Sequence, residues 1–66
     1  MQIKINGKEQ SLTDGITLEQ LVKNLAQNSP VAIELNGQVV PKRLHPQTSL
    51  RPGDELEVVT IVGGGN

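Results

Sequence analysis

The residues with the clearest capacity for chemistry close the chain: Val62-Gly63-Gly64-Gly65-Asn66. Three glycines after an apolar, strand-like run cannot pack against a core or hold one conformation. They can carry a terminal carboxylate away from a folded body and into a narrow cleft of another protein. A plain flexible linker has the same composition, so the rest of the chain must decide between the two readings.

Other side chains offer less. His45 is the only histidine and sits beside Pro46 in a stretch with no second metal ligand nearby. It is expected as a solvent-exposed loop residue with no metal role. Asp54 and Glu55 are adjacent, but the carboxylates of a single turn more often solvate the turn than move protons. Lys42, Arg43 and Arg51 read as ordinary solvated charge. There is no cysteine. Asn6-Gly7 and Asn36-Gly37 are turn signals, and no Gly-x-Gly-x-x-Gly precedes the helix. No catalytic side chain and no metal site are expected.

Size and composition point the same way. The 66 residues make one domain at most, and no Phe, Trp or Tyr is present. A domain of about 60 residues buries only about 60% of its unfolded surface. The core must be built from Ile, Leu and Val, with little room for a ligand pocket of about 300 Å³ or more. A free-standing enzyme is therefore disfavoured. Six scattered basic residues and a net charge of −1 give no footprint for nucleic acid. The missing aromatics remove stacking platforms for single strands. No apolar stretch approaches a membrane span of about 20 residues. The N-terminus lacks the plan of a signal peptide, so the cytoplasm is the expected location.

The elements that position the tail follow from local pattern. Met1, Ile3 and Ile5 alternate with Gln2 and Lys4, as in a half-buried strand. Asn6-Gly7 then predicts a two-residue hairpin turn into a second strand, Lys8 to Leu12. Thr17 opens a helix, with Gln20 placed for a capping box and Ile16 and Leu21 for a hydrophobic staple. Leu18, Leu21, Val22 and Leu25 form one apolar stripe. Asn28-Ser29-Pro30 ends the helix. Val31, Ile33 and Leu35 alternate in a third strand, and Asn36-Gly37 turns into a short strand at Gln38 to Val40. Pro41 to Ser49 reads as irregular, with Leu44 and Leu50 tucked onto the core. Arg51-Pro52-Gly53-Asp54 suits a type II turn. Glu55 to Val62 is the last strand.

One helix on one face of a four- or five-stranded sheet buries these stripes. The expected core is Ile3, Ile5, Leu12, Leu18, Leu21, Val22, Leu25, Val31, Ile33, Leu35, Leu56 and Val58. The last strand has more apolar residues than one face needs. Leu56 and Val58 face inward, so by the same parity Val59 and Ile61 face outward. Together with Gly63 they suggest a surface covered by a partner.

The chain resembles the ThiS-type sulfur carrier proteins of thiamin biosynthesis, small ubiquitin-like β-grasp domains. The resemblance rests on the N-terminal hairpin and helix with Leu18-x-x-Leu21-Val22. It also rests on Ala32-Ile33-Glu34-Leu35-Asn36-Gly37-Gln38-Val39-Val40-Pro41, the turn Gly53-Asp54, and the end Val58-Val59-Thr60-Ile61-Val62-Gly63-Gly64-Gly65. It implies an α+β β-grasp fold, a mixed sheet of four to five strands packed on one helix, over residues 1–62, with a glycine tail at 63–66. It implies that Gly65, preceded by Gly64, is the residue whose carboxyl is adenylated and converted to a thiocarboxylate. The chain would then be a protein co-substrate, not an enzyme. Its implied partners are an adenylating enzyme related to ubiquitin-activating enzymes, thiazole synthase and, indirectly, a cysteine desulfurase. ATP and Mg²⁺ would belong to the activating partner, and the carrier itself, expected as a monomer, would hold no cofactor.

Asn66 departs from the family pattern, which ends on glycine. Trimming, tolerance by the partner and a block to activation are the three outcomes, and trimming is the expected one. Alternative readings of the same plan are a molybdopterin-synthase small-subunit-type carrier, a ubiquitin-like or TGS-like module that binds without covalent chemistry, and a modifier conjugated to lysines. The compact length and the Val-Gly-Gly-Gly pattern favour the thiamin branch.

Overall fold

The computed structural model describes residues 1–26 and 30–61. The helix stop at Asn28-Ser29 and the tail from Val62 onward lie outside the described residues. The elements run β1 (Gln2–Ile5), β2 (Lys8–Ser11), α1 (Leu18–Ala26), β3 (Val31–Leu35), β4 (Gln38–Val39), a 3-10 helix (Lys42–Gln47) and β5 (Glu55–Thr60). The sheet order is β2-β1-β5-β3-β4. β1 and β5 run parallel, while β1–β2, β3–β4 and β3–β5 are antiparallel. A five-stranded mixed sheet with one helix is the β-grasp arrangement that the sequence resemblance implies.

The two Asn-Gly turns form as expected. Asn6 and Asn36 take φ of 52° and 51°, and the glycines that follow also have positive φ. A type I′ turn needs this at both central positions, and asparagine tolerates it where most residues do not. The tight loops fix the register, pairing Ile5 with Lys8 and Leu35 with Gln38.

The start of α1 is the capping box the sequence predicts. Thr17 N donates to Gln20 Oε1 at 3.0 Å, and Gln20 N donates to Thr17 Oγ1 at 3.2 Å. Two free donors at the helix start are thus satisfied reciprocally. Leu18 N donates to Thr48 O, and Leu50 N to Ile16 O, each at 2.9 Å. These two bonds tie the helix start to the chain that follows the 3-10 helix.

The buried core is Ile3, Ile5, Leu18, Leu21, Ile33, Leu50 and Leu56, with Leu12, Ile16, Val22, Val31, Leu35, Val40 and Val58 among the partly buried residues packed on it. Most of the expected core is present. Leu25 is a correction: it is 46% exposed. It falls in the last two turns of a nine-residue helix, where the stripe has run past the small sheet beneath it.

The stretch from Pro41 to Ser49 is a second correction. It is not irregular, since residues 42–47 wind into a 3-10 helix. His45 changes with it. It is 5% exposed rather than a solvated loop residue, and its Nε2 donates to Val40 O at 3.0 Å. The carbonyl can only accept, so this nitrogen carries the proton. In a chain without Phe, Tyr or Trp, this imidazole is the one aromatic ring available to fill the space between β4 and the 3-10 helix.

Candidate functional site

The site is built around β5, because the glycine segment follows it in sequence. β5 is the central strand, paired on one side with β1 and on the other with β3. Its register with β3 runs from Leu35↔Leu56 to Val31↔Thr60, and Ile61 N donates to Pro30 O at 2.9 Å one residue further on. Pairing with β1 is shorter and covers Lys4↔Glu55 and Ile5↔Leu56.

Where β1 turns away, the Asn6 side chain takes over. Its Oδ1 accepts from Val58 N at 2.7 Å and its Nδ2 donates to Val58 O at 3.2 Å. A carboxamide here reproduces the pair of bonds that another strand residue would supply. Asn36 serves the other end of β5. Its backbone N donates to Glu55 O at 2.8 Å, while its side-chain Oδ1 accepts from Glu55 N at 3.0 Å. Sequence reasoning read both asparagines as turn residues only. The missed signal is that two Asn-Gly turns abut one strand, and asparagine, unlike glycine, brings a donor and an acceptor to it.

Asp54 closes the turn that leads into β5. Its Oδ2 accepts from Arg51 N at 2.8 Å and its Oδ1 from Asn36 Nδ2 at 3.1 Å. Asp54 N donates to Arg51 O at 3.1 Å, with Gly53 at φ 86°, as a type II turn requires. Its carboxylate is occupied in holding the turn, as the sequence reading expects.

The parity read from the sequence holds. Leu56 is buried and Val58 half-buried, whereas Val59 and Ile61 are 59% and 52% exposed. They lie on the sheet face opposite α1, where Val59 pairs with Ala32. Val39 of β4, directly opposite Glu34, adds a third large apolar side chain to that face. Gly63, Gly64 and Gly65 lie outside the described residues.

Among the described residues no group of three or more His, Asp or Glu side chains could hold a metal ion. An open groove of about 560 Å³ is lined by residues that include Asp14, Gln20 and Lys23. It flanks the start of α1, near the Met1 ammonium, which lies 3.1 Å from Asp14 Oδ1. β1 begins there and runs parallel to β5, so the groove is at the opposite end of the sheet from the last residues of β5. No helix among the described residues is long and apolar enough to cross a membrane.

Residues 3–65 match the model of the ThiS family. The chain belongs to the ThiS family. A thiamine biosynthesis protein (ThiS) from Geobacter metallireducens, solved by crystallography, superposes with a TM-score of 0.83 at 29% identity, covering 98% of this chain and 100% of that one. The Escherichia coli sulfur carrier protein ThiS is 29% identical over 98% of this chain and 100% of its own length. A thiazole synthase from Paramagnetospirillum magneticum is 39% identical over all of this chain, which spans only 21% of that relative. A ThiS-like segment and the name thiazole synthase thus occur together in one polypeptide.

Proposed function

We propose that this chain is a sulfur carrier of thiamin biosynthesis whose cargo rides on the carboxyl group of Gly65. The observation that carries the reading is the ThiS family match over residues 3–65, which takes in the glycine run and stops short of Asn66. The sulfur-carrier name of the Escherichia coli relative supports it.

The chemistry follows from the functional group. A carboxylate is a poor electrophile at neutral pH, because its oxygen is a poor leaving group. An activating enzyme that binds ATP and Mg²⁺ transfers AMP to the Gly65 carboxylate and releases pyrophosphate. The terminal sulfur of a persulfide, derived from a cysteine desulfurase, then attacks the acyl carbon and expels AMP to give an acyl disulfide. A thiol of a partner attacks that disulfide, releasing the thiocarboxylate and leaving a disulfide on the partner. Thiazole synthase takes sulfur from that group for ring formation. Throughout, the chain's part is to bind and to reach. Gly63 and Gly64 let the backbone thread a narrow channel. Val59 and Ile61 offer apolar surface beside it. Asn66 is removed before activation, so that Gly65 carries the reacting carboxylate. These steps take place in the cytoplasm.

The test uses a chain ending at Gly65, a chain ending at Asn66 and a chain lacking Gly64-Gly65-Asn66. Each is incubated with an activating enzyme, ATP and a sulfur donor, and then weighed. The Gly65 form should gain an adenylate and then exchange oxygen for sulfur. The truncated form should do neither while keeping its melting temperature. No covalent product on the Gly65 form refutes the carrier reading, and isopeptide adducts on other proteins replace it with a modifier.

A further inference from the structure

The two Asn-Gly turns, Asn6-Gly7 and Asn36-Gly37, carry a chemistry of their own. An asparagine followed by glycine can lose its side-chain amide without an enzyme, because glycine has no side chain to crowd the attack of its own backbone nitrogen. Hydroxide removes the proton from that nitrogen, which then attacks the asparagine Cγ. A succinimide ring closes, the Cγ–Nδ2 bond breaks, and ammonia leaves with a proton taken from water. Water then opens the ring, at one carbonyl to give aspartate and at the other to give isoaspartate. Both turns are exposed, and nothing lies within 4 Å of where a Cβ would stand on Gly7 or Gly37.

The two sites match in local sequence and in how they are held. Each follows a branched aliphatic residue, Ile5 or Leu35, and each asparagine has a positive φ. Asn6 N donates to Leu56 O at 2.8 Å, its Oδ1 accepts from Val58 N at 2.7 Å and its Nδ2 donates to Val58 O at 3.2 Å. Asn36 N donates to Glu55 O at 2.8 Å, its Oδ1 accepts from Glu55 N at 3.0 Å and its Nδ2 donates to Asp54 Oδ1 at 3.1 Å. Attack makes Cγ tetrahedral and expels Nδ2, so a planar carboxamide tied at both ends resists it at either site. Their charges differ. Asn36 touches the Asp54 carboxylate, bonds the backbone of Glu55 and lies two residues after Glu34. Lys4, opposite Glu55, is on the far side of β5 from it. The surroundings of Asn6 are mixed. Glu57 is level with it, one step past the Ile5↔Leu56 pair, while Lys4 and Lys8 lie two residues away on either side. Lys4 faces Glu9 and Glu55, but Lys8 faces Ile5 and keeps its charge beside the turn.

We propose that Asn6 is a modification site of this chain, deamidated spontaneously ahead of the matched Asn36, and that the isoaspartate formed there unclasps β5. The proposal is independent of the carrier reading. Deprotonated glycine nitrogen and the tetrahedral intermediate are both anionic, so a carboxylate in contact with the site raises the barrier and a nearby ammonium lowers it. Asp54 therefore protects Asn36, whose loss of Nδ2 would also set two like charges against each other. Lys8 leaves Asn6 open to attack. Isoaspartate routes the main chain through the former side-chain carbonyl and adds a methylene to it. A two-residue turn that depends on positive φ at both central positions does not accommodate that extra atom. The oxygen that accepts from Val58 N and the nitrogen that donates to Val58 O are lost from their places together.

The experiment holds the full chain in mildly alkaline buffer, at low and high sodium chloride and in urea. Peptide mapping that separates asparagine, aspartate and isoaspartate follows each turn with time. In the folded chain at low salt Asn6 should convert about tenfold faster than Asn36. High salt should narrow that ratio, and Lys8→Gln should slow Asn6 while leaving Asn36 unchanged. In urea both sites should speed up and their rates converge, because the hold and the charges of β5 are gone. The isoaspartate form at Asn6 should melt lower than the unmodified chain, with faster amide exchange at Val58. Equal rates in the folded chain, or a faster Asn36, overturn the choice of Asn6. A folded chain that reacts at neither turn overturns the modification. A ratio unmoved by salt and by Lys8→Gln overturns the role of charge. Unchanged Val58 exchange in the isoaspartate form overturns the unclasping of β5.

Discussion

Replacing Asn6 by glycine keeps the left-handed backbone of the first hairpin and removes only the side chain that clasps β5. Asn6 sits at φ 52°, a conformation glycine adopts without strain. Two bonds disappear, from Val58 N at 2.7 Å and to Val58 O at 3.2 Å. Each is worth about 0.5–1.5 kcal/mol net. Glycine adds about 0.5–1 kcal/mol of unfolded-state entropy, which relief of the asparagine's left-handed strain roughly offsets. The expected loss is therefore about 2 kcal/mol, or about 8–16 °C in melting temperature for a domain of this size. Thermal and urea denaturation give the total, and amide hydrogen exchange locates it. The Val58 N–H should exchange faster relative to that of Ile33, which sits in the β3–β5 ladder. Asn6→Asp retains the oxygen that accepts from Val58 N and should preserve that protection even though it loses the bond to Val58 O. A glycine variant within 0.5 kcal/mol of wild type, or unchanged Val58 exchange, would refute the idea that Asn6 acts as a surrogate strand residue.

His45→Leu removes the donor to Val40 O from a site 5% exposed and should cost about 1–3 kcal/mol in urea denaturation, most of it recovered by His45→Gln, which restores an N–H. Val59→Thr keeps the shape and the strand preference of an exposed residue, so the isolated chain should change by less than about 0.5 kcal/mol. The same change buries a hydroxyl against an apolar partner and should weaken binding about tenfold by titration calorimetry, while equal binding would remove Val59 from the interface.

The strands, the helix and its cap, the three turns and the outward parity of Val59 and Ile61 were legible because each rests on local rules. Those rules are alternation, a 3.6-residue stripe, positive φ at asparagine and glycine, and a threonine three residues before a glutamine. Leu25 failed because periodicity assigns a face but cannot say where the sheet under that face ends. His45 failed for a related reason. A lone histidine next to proline has no periodic context, and only the 3-10 winding of residues 42–47 turns it inward toward Val40 O. The roles of Asn6 and Asn36 on β5 were out of reach, since they join residues 52 and 19 positions apart. The tail lies outside the described residues, and only family resemblance gives its chemistry a direction.

The position of β5 gives the carrier proposed above a physical reason to place its tail after this strand rather than another. Without β5 the sheet order leaves two separate hairpins, β2-β1 and β3-β4, and an isolated two-stranded hairpin is at best marginally stable in water. β5 joins them, and it brings Leu56 into a core with Ile3, Ile5 and Ile33. Among the described strands its pairing with β1 is the only parallel one, and it joins distant parts of the sequence, Ile5 and Leu56. Contacts of such sequence separation carry the largest closure entropy and form only when the rest of the chain is in place. The strand that leads into the tail is thus the one whose docking completes the fold. A chain that is misfolded or has lost an upstream element cannot hold β5 between two neighbours. It then cannot align Val59 and Ile61 on one face next to the glycines, and a partner that requires both the face and the tail would load only chains that have finished folding.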